Sequence, residues 1–231
     1  MPAVDDPSTL SLLPLFQGLP LEHLAAINER LYRRTVPAGT TLMMAEDPGD
    51  VAYIIQSGTV KIHVEQTDGS DVILALRGRG EILGEMSILD RQGRSASVLT
   101  IEQCSMLRWD RASLVTSLET MPLLTLNLAR LLSRRLRHAT DKIQALAALD
   151  LPGRVARQIL AFADEYGEPL EKGALLIPLR LPQSDLAGLV GASRERVNEA
   201  MVDFKRRGYI TVDERWRITV HNRAALAQRC Q

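Results

Sequence analysis

The sequence predicts an α+β protein with an N-terminal antiparallel β-roll of the jelly-roll kind, one long helix, and a small C-terminal domain of helices and a hairpin. Three observations support this fold class. Short apolar runs alternate with turn residues over 36–109, a helical pattern runs from 121 to 150, and two close helices precede a hairpin near the end. The expected domains are therefore 1–120, 121–150 and 151–231, and 231 residues suffice for them.

The predicted roll consists of short runs that are rich in β-branched residues or alternate in polarity. These runs are "VAYIIQ", "TVKIHVEQ", "DVILAL", "SVLTI" and "SMLRW", separated by turn signals such as "DPGD" and "GRG". Such spacing is typical of antiparallel rolls and sandwiches. Asp68-Gly69 predicts a tight hairpin turn. Residues 10–34, which precede the roll, are expected to form short helices.

Composition excludes several classes of protein. Apolar residues make up 45% and charged residues 24% of the chain, as in ordinary globular proteins. Cys104 and Cys230 are far apart and form no CxxC motif, which argues against a disulfide framework, an iron–sulfur cluster or a zinc site and fits a reducing cytoplasm. The start "MPAVDDPSTL" has no signal-peptide pattern, and no apolar run is long enough to predict a membrane span.

The zero net charge conceals an asymmetry along the chain. Residues 1–120 carry 10 basic and 16 acidic residues, a net of −6. Residues 121–150 carry 5 against 2, and residues 151–231 carry 13 against 10, so each segment has a net charge of +3. A polyanionic partner is therefore expected to bind the C-terminal half, although chance variation of the surface also explains the asymmetry.

The long helix carries a heptad seam. Small or apolar residues recur at 4-3-4-3-4-3 spacing, which predicts a coiled-coil contact with a second copy in a parallel two-fold dimer. Packing of the helix on its own domain is the alternative. The segment "DLPGR" (150–154) then predicts a hinge, in which Pro152 and Gly153 break the helix after Asp150. The seam residues are Thr125, Ala129, Leu132, Leu136, Ala139, Ile143 and Leu146.

Two helices near the C-terminus match a helix-turn-helix. Gly191 is expected to end the first helix and Ser193 to cap the second, and the hairpin "YITVDERWRITV" adds a wing. Arg194 suits the N7 and O6 acceptors of guanine, and Glu195 suits the amino group of cytosine. A plain αα-hairpin with a solvated charged face is the alternative. The candidate DNA contacts are Gln183 and Ser184, expected to reach phosphate, together with Ser193, Arg194, Glu195, Arg196, Asn198 and Glu199.

The stretch "GEMSILDRQGRSAS" (84–97) combines a glycine, an acid and an arginine at a spacing that allows two interpretations. An arginine fork suits a phosphate diester, and a buried carboxylate suits a sugar hydroxyl. Glu85 and Arg94 therefore form either a cradle for a phosphorylated sugar or a structural ion pair without a ligand.

The order of roll, long helix, hinge and winged helix resembles the family of bacterial regulators typified by the catabolite activator (cyclic AMP receptor) protein and FNR. "EDPGDVAYIIQSGTVKI" is similar to the roll signature of that family and "GEMSILDRQGRSAS" to its phosphate-binding cassette. "RRLRHATDKIQALAALDLPGRVA" resembles its dimer helix and hinge, and "VGASRERVNEAM" its recognition helix. The resemblance extends from about Leu12 to Val220.

The resemblance implies a homodimeric, DNA-binding transcription regulator under allosteric control by cyclic AMP, not an enzyme. In the cyclic-AMP branch the cassette glutamate binds the ribose 2′-hydroxyl, while the arginine and serine bind the cyclic phosphate. The residues implied to bind nucleotide are Gly84, Glu85, Met86, Arg94, Ser95 and Ala96 in the cassette, with Arg135 and Thr140 from the long helix. The loop "GEPLEKG" corresponds to a region that contacts RNA polymerase in the family, but a plain connector explains it equally well.

Two departures from the family pattern affect specificity. Two neighbouring hydroxyl residues contact adenine in the best-known member, whereas the aligned pair here is Ala139 and Thr140. Glu199 stands where a basic residue is often found, so the half-site is expected to change at the position it reads. The N-terminal cysteine cluster of FNR-type iron–sulfur sensors is missing, and the four scattered histidines do not support haem sensing.

Two other functions are compatible with parts of this pattern. The first is the same DNA-binding regulator acting without nucleotide or with another effector. The second, a remote one, is an enzyme using the roll as a cupin-like metal site, which needs clustered His and Glu ligands. Only His63 lies on the predicted roll strands.

Overall fold

Two four-stranded antiparallel sheets form the roll in the computed structural model, which describes residues 3–66 and 71–230. Their strand orders are β1-β8-β3-β6 and β2-β7-β4-β5. The predicted turn at Asp68-Gly69 lies outside the described residues. The strands are β1 (Leu31–Val36), β2 (Thr41–Met43), β3 (Val51–Ser57), β4 (Val60–Glu65), β5 (Asp71–Arg77), β6 (Ile82–Leu83), β7 (Ser97–Thr100) and β8 (Cys104–Asp110).

The five runs predicted as strands are confirmed as β3, β4, β5, β7 and β8. The expectation of helix through residue 34 is wrong, because β1 begins at Leu31. β1 pairs with β8 in an antiparallel register that runs from Leu31 opposite Trp109 to Val36 opposite Cys104. This pairing joins segments about 70 positions apart in the sequence, so no local sequence pattern predicts it.

Two apolar clusters hold the N-terminal part together. In one, Phe16 and Trp109 are fully buried with ring centroids 5.8 Å apart, beside two short 3₁₀ helices (Pro7–Leu12 and Pro14–Phe16) and α1 (Leu21–Asn28). The other includes Cys104, whose burial raises the pKa of its thiol to about 11. Cys104 therefore behaves as a small apolar core residue.

Three helices follow or interrupt the strands: α2 (Glu85–Asp90), α3 (Arg111–Thr120) and α4 (Pro122–Ala148). The long helix predicted over 121–150 is confirmed as α4, which begins at Pro122 as expected for proline at a helix start. Asn127, on the buried face of α4, donates from Nδ2 to the carbonyls of Leu15 (3.2 Å) and Gln17 (2.8 Å). The first half of α4 is thereby fixed to the N-terminal segment.

The described residues cluster in two compact units, one drawn from 1–64 and 75–135 and the other from 65–74 and 136–231. The second unit contains α5 (Leu151–Tyr166), α6 (Gln183–Val190), α7 (Arg194–Arg206), α8 (Arg223–Gln228) and a four-stranded sheet of order β11-β12-β10-β9. Its strands are β9 (Glu168–Pro169), β10 (Leu175–Ile177), β11 (Ile210–Val212) and β12 (Ile218–Val220).

The predicted hinge differs in detail from the structure. Asp150 is the N-cap of α5, and its carboxylate accepts from the Gly153 amide at 2.8 Å. Pro152 lies in the first turn of α5, which starts at Leu151. Gly153 is a packing requirement and not a helix breaker, because a Cβ there would lie 2.7 Å from the Arg229 carbonyl.

The helix-turn-helix is present with the two end signals expected from the sequence. Gly191 ends α6 in the left-handed conformation (φ +62°), and the Ser193 hydroxyl caps α7 by accepting from the Arg196 amide at 3.4 Å. β11 and β12 form the wing, whose turn is held by Asp213, which accepts from the amides of Arg215 and Arg217. Across the described residues, no helix is long and apolar enough to cross a membrane.

Candidate functional site

The Arg94 side chain is the centre of the cassette at residues 84–97. It is only 6% exposed, and its guanidinium donates from Nη1 to the Gly84 carbonyl (2.8 Å) and the Ser87 hydroxyl (2.8 Å). Nη2 donates to the Val51 carbonyl at 2.6 Å. All three acceptors are neutral, so Arg94 is fixed in place while its positive charge has no ion-pair partner among the described residues.

Burial lowers the pKa of the Arg94 guanidinium, and the nearby Asp50 carboxylate opposes that effect. An arginine remains protonated under both influences. The cassette therefore contains a buried, permanent positive charge.

Two glycines allow this close packing. Gly84 has a positive φ of +78°, and a Cβ there would collide with Nη1 of Arg94. A Cβ on Gly49 would lie 2.5 Å from the Ser87 hydroxyl. The Arg94 backbone is also fixed, because its amide donates to the Asp47 carbonyl at 3.0 Å and its carbonyl accepts from the Glu46 amide at 2.9 Å.

Glu85 has a cationic partner that differs from the one considered from the sequence. Its side chain is buried at the start of α2, and Oε1 accepts from Nη1 of Arg135 at 2.6 Å. Arg135, on α4, also donates from Nε to a second buried carboxylate, Glu81, at 2.9 Å, and from Nη2 to the same carboxylate and the Ile82 carbonyl. The Arg135 guanidinium thus pairs with two buried carboxylates, and Nε of Arg77 lies 3.5 Å from Oε2 of Glu81 as a second cation.

Sequence reasoning identified Glu85, Arg94 and Arg135 but missed Glu81 and Ser87. Glu81 lies beside a glycine at the end of a turn, a position that is polar in most proteins, so nothing local indicates burial. Ser87 lies in a helix turn too short to show a periodic pattern. Both residues can be identified only from the tertiary structure, in which Glu81 contacts Arg135 and Ser87 contacts Arg94.

The other residues predicted to bind nucleotide differ in accessibility. Ser95 and Met86 are exposed, and Ala96 is buried beside Arg94. Thr140 is exposed on α4, and its hydroxyl donates to the Leu136 carbonyl at 3.0 Å within the helix. Contact of these four residues with a ligand remains a prediction.

The predicted heptad seam lies mostly on the uncovered face of α4. Leu136 is 70% and Ile143 67% exposed. Leu132 is half-buried against the N-terminal core. The other seam residues are all exposed: Thr125, Ala129, Ala139 and Leu146. In one isolated chain, this face of α4 is therefore free to contact a helix of a second copy.

The predicted DNA contacts lie on one exposed surface at the start of α6 and α7. Exposed residues of this set are Ser184, Ser193, Arg194, Glu195, Arg196, Asn198 and Glu199. Gln183 is half-buried and donates from Nε2 to Oδ1 of Asn198 at 2.8 Å. Hydrogen bonds from its own amide and the Ser193 hydroxyl lower the pKa of Glu195, so this carboxylate is ionised at neutral pH.

Comparison with known proteins agrees with this arrangement. A cyclic nucleotide-binding domain model matches residues 33–120, and a Crp-like helix-turn-helix domain model matches residues 153–229. The "CRP-like cAMP-activated global transcriptional regulator" of Mycobacterium tuberculosis is 39% identical over 199 residues, which is 86% of this chain and 88% of the relative. The chain belongs to the CRP/FNR family of transcription regulators.

Further CRP/FNR relatives extend the comparison. The "Cyclic AMP receptor protein" of Thermus thermophilus is 34% identical over 188 residues, covering 81% of this chain and 83% of its own. The solved structure of FixK2 from Bradyrhizobium japonicum has a TM-score of 0.74 at 20% identity, covering 86% of this chain and 96% of that one. The catabolite activator protein of Thermus thermophilus has 31% identity and a TM-score of 0.52, covering 94% and 98%.

Membership of the CRP/FNR family confirms the expected DNA-binding regulator and rules out the enzyme alternative. The chain is a DNA-binding transcription regulator with a cyclic nucleotide-binding domain, and its relatives are not enzymes. The cupin-like metal enzyme is therefore rejected. Within the described residues, no group of three or more His, Cys, Asp and Glu side chains is arranged to hold a metal ion.

Arg135→Gln is expected to lower the free energy of unfolding of the N-terminal unit by about 3 kcal/mol, because Glu85 then loses its ion pair while Glu81 keeps only Arg77. Urea unfolding followed by fluorescence of the buried Trp109, with Trp216 replaced by Phe in all proteins, measures this change. Arg134→Gln, at the exposed neighbouring position, is the control and should change stability little. Equal stability of both variants would contradict a structural role for the Arg135 bridge.

Proposed function

We propose that this regulator is a homodimer whose DNA binding is controlled by cyclic AMP bound in the N-terminal roll. The observation that carries the proposal is the buried Arg94 guanidinium, which is fixed by three neutral acceptors and has no ion-pair partner among the described residues. A buried charge of this kind is stabilised by a counter-ion. The singly charged phosphate diester of a cyclic nucleotide is a suitable one.

The groups around Arg94 fit the rest of a cyclic nucleotide. Ser95 is exposed beside Arg94 and offers a hydroxyl donor to the phosphate, with the Ala96 amide next to it. Glu85 uses Oε1 for Arg135, which leaves Oε2 to accept from the ribose 2′-hydroxyl. We therefore assign the phosphate to Arg94 and Ser95 and the ribose to Glu85, while Gly84 and Met86 border the pocket.

Selectivity for adenine is expected to depend on Thr140. Ala139 supplies no hydrogen-bonding group, so only one hydroxyl of this pair is available to the base. Since Thr140 lies on the exposed face of α4, we propose that it reaches the nucleotide bound by the partner subunit. The relative that is 39% identical is described as cAMP-activated, which supports adenine as the base.

The dimer is proposed to form along α4. The exposed apolar residues of this helix follow a heptad spacing, and burying them against a second copy removes their apolar surface from water. A parallel two-fold arrangement brings the same residue of each chain together. It also places two recognition helices for half-sites about one helical turn apart on a pseudo-palindrome.

Arg135 is the proposed link between nucleotide and dimer. It lies on α4 and holds Glu85, the residue assigned to the ribose. A nucleotide bound to Arg94 and Glu85 adds a negative charge and a hydrogen bond beside the carboxylate that Arg135 holds, so the position of α4 is expected to differ between free and bound states. Cyclic AMP controls DNA binding only if its affinity for these two arrangements differs.

On DNA, Arg194 is assigned to a guanine and Glu195 to a cytosine in the major groove. Glu199 accepts hydrogen bonds only, so it cannot bind guanine as a basic residue does. We further propose that residues 167–173 contact RNA polymerase; they form β9 and a short exposed 3₁₀ turn, which makes them accessible to a protein partner.

The first test is calorimetric titration of the purified protein with cyclic AMP and cyclic GMP. We expect micromolar binding that favours cyclic AMP. Arg94→Gln should weaken it at least ~10-fold, because a charge-assisted contact is lost. Arg91→Gln, an exposed arginine of the same loop, is the control and should bind normally. Failure of the wild-type protein to bind either nucleotide would favour the nucleotide-independent regulator.

Dimerisation is tested by Ile143→Glu, which places a charge on the seam. Sedimentation equilibrium should show a dimer dissociation constant at least ~10-fold higher than in the wild type, because the charge loses water at the interface. Gln144→Glu adds the same charge to an exposed position outside the seam and should leave the dimer intact. Identical behaviour of the two variants would argue for a different interface.

Arg194→Ala is expected to cost about 1–3 kcal/mol of specific DNA binding and to relax the preference at one base pair per half-site. Selection of bound sequences from a randomised library, followed by affinity measurement on the selected site, tests this. Arg206→Ala, at the far end of α7, should keep the preference. An equal loss on every sequence would mean that Arg194 contacts phosphate.

A further inference from the structure

We propose that Gln183 is a positioning residue that sets the orientation of the Asn198 amide, and through it the base that Asn198 reads. The inference rests on the assignment of α7 as the helix that enters the DNA groove. It replaces the simpler expectation that Gln183 contacts phosphate.

The geometry shows two side chains from different helices joined before any DNA is bound. Gln183 is the first residue of α6, and its Nε2 donates to Oδ1 of Asn198 at 2.8 Å. Asn198 is exposed and follows Arg194 by four positions on α7, so both project from the same face of the helix. Gln183 of α6 therefore holds a side chain on the face of α7 that is assigned to the DNA groove.

The hydrogen bond determines which end of the amide is available. Because Oδ1 is turned towards Gln183, the Nδ2 amino group is the end left to meet a base edge. That group donates only, so its natural partners are the acceptors of the major groove, which are N7 and O6 of guanine, O4 of thymine and N7 of adenine, whereas cytosine offers none. An unrestrained asparagine is free to bind adenine with both ends of its amide, accepting from N6 and donating to N7.

The direction of the Gln183 bond is therefore a specificity element. Glutamine at 183 can donate, so it selects the orientation with Nδ2 free. Glutamate at 183 can only accept, so it selects the reverse orientation, in which Nδ2 turns inward and Oδ1 faces the groove. The donors that then suit Asn198 are N4 of cytosine and N6 of adenine.

The experiment measures the base preference at every position of the half-site for the full-length protein, with and without cyclic AMP, by selection from a randomised library. Wild type should select against cytosine opposite Asn198, because cytosine offers Nδ2 no acceptor. Gln183→Ala should reduce that selection roughly 3- to 10-fold, the effect of one hydrogen bond. Gln183→Glu should reverse it, so that cytosine is preferred over guanine and thymine at the same base pair.

Two controls separate positioning from other effects. Ser184→Asp adds a negative charge at the adjacent exposed residue and should weaken binding to all sequences without changing the preference. The double variant Gln183→Ala/Asn198→Ala should match Asn198→Ala in base preference, because Gln183 acts through Asn198. Thermal unfolding of each variant verifies that the fold is intact.

The outcomes distinguish this inference from the function on which it rests. If the wild type selects no sequence, the DNA-binding assignment of α7 fails. If the wild type selects a site and both Gln183 variants keep its base preference while losing affinity equally on all sequences, Gln183 is a phosphate contact and the positioning role is overturned. A change of preference confined to the Asn198 base pair supports it.

Discussion

One guanidinium, that of Arg135, holds the N-terminal site together. Glu81 and Glu85 are both almost fully buried, and two carboxylates cannot remain ionised there without a cation. Arg135 supplies that charge to both carboxylates, with Arg77 as a second partner of Glu81. It lies on α4, where Asn127 is itself fixed to the carbonyls of the N-terminal segment. The ionisation of Glu81 and Glu85 therefore depends on where α4 places Arg135, and the two carboxylates in turn hold that part of α4 in position.

The two arginines of the site have opposite environments, and this difference gives them different functions. Arg135 is neutralised by carboxylates, so it contributes to the folded state without a ligand. Arg94 is held only by carbonyls and a hydroxyl, so its geometry is complete while its charge is not. In the proposed regulator, a ligand with one negative charge and a sugar hydroxyl pairs with Arg94 and donates to Glu85, the carboxylate that Arg135 holds.

The DNA-binding end depends on the relative placement of α6 and α7, which pack through buried residues such as Leu186, Val197 and Phe204. Arg194 and Glu195 act as individual side chains, and their chemistry can be read directly from the sequence. Asn198 differs, because the hydrogen-bonding end that it presents depends on a neighbour fifteen positions earlier. Specificity at that base pair is then a property of the helix pair and not of the recognition helix alone.

Features that depend on local interactions follow from the sequence alone. The heptad spacing predicted α4, the left-handed glycine at 191 and the serine cap at 193 predicted the helix-turn-helix, and alternating apolar runs predicted five strands. Three other features depend on distant contacts. Residues 31–36 form a strand, Arg135 is the partner of Glu85, and Gly84 must lack a side chain for Arg94 to reach its acceptors. A turn or a helix end is specified by residues within a few positions, whereas these contacts join distant segments and exist only when burial brings them together.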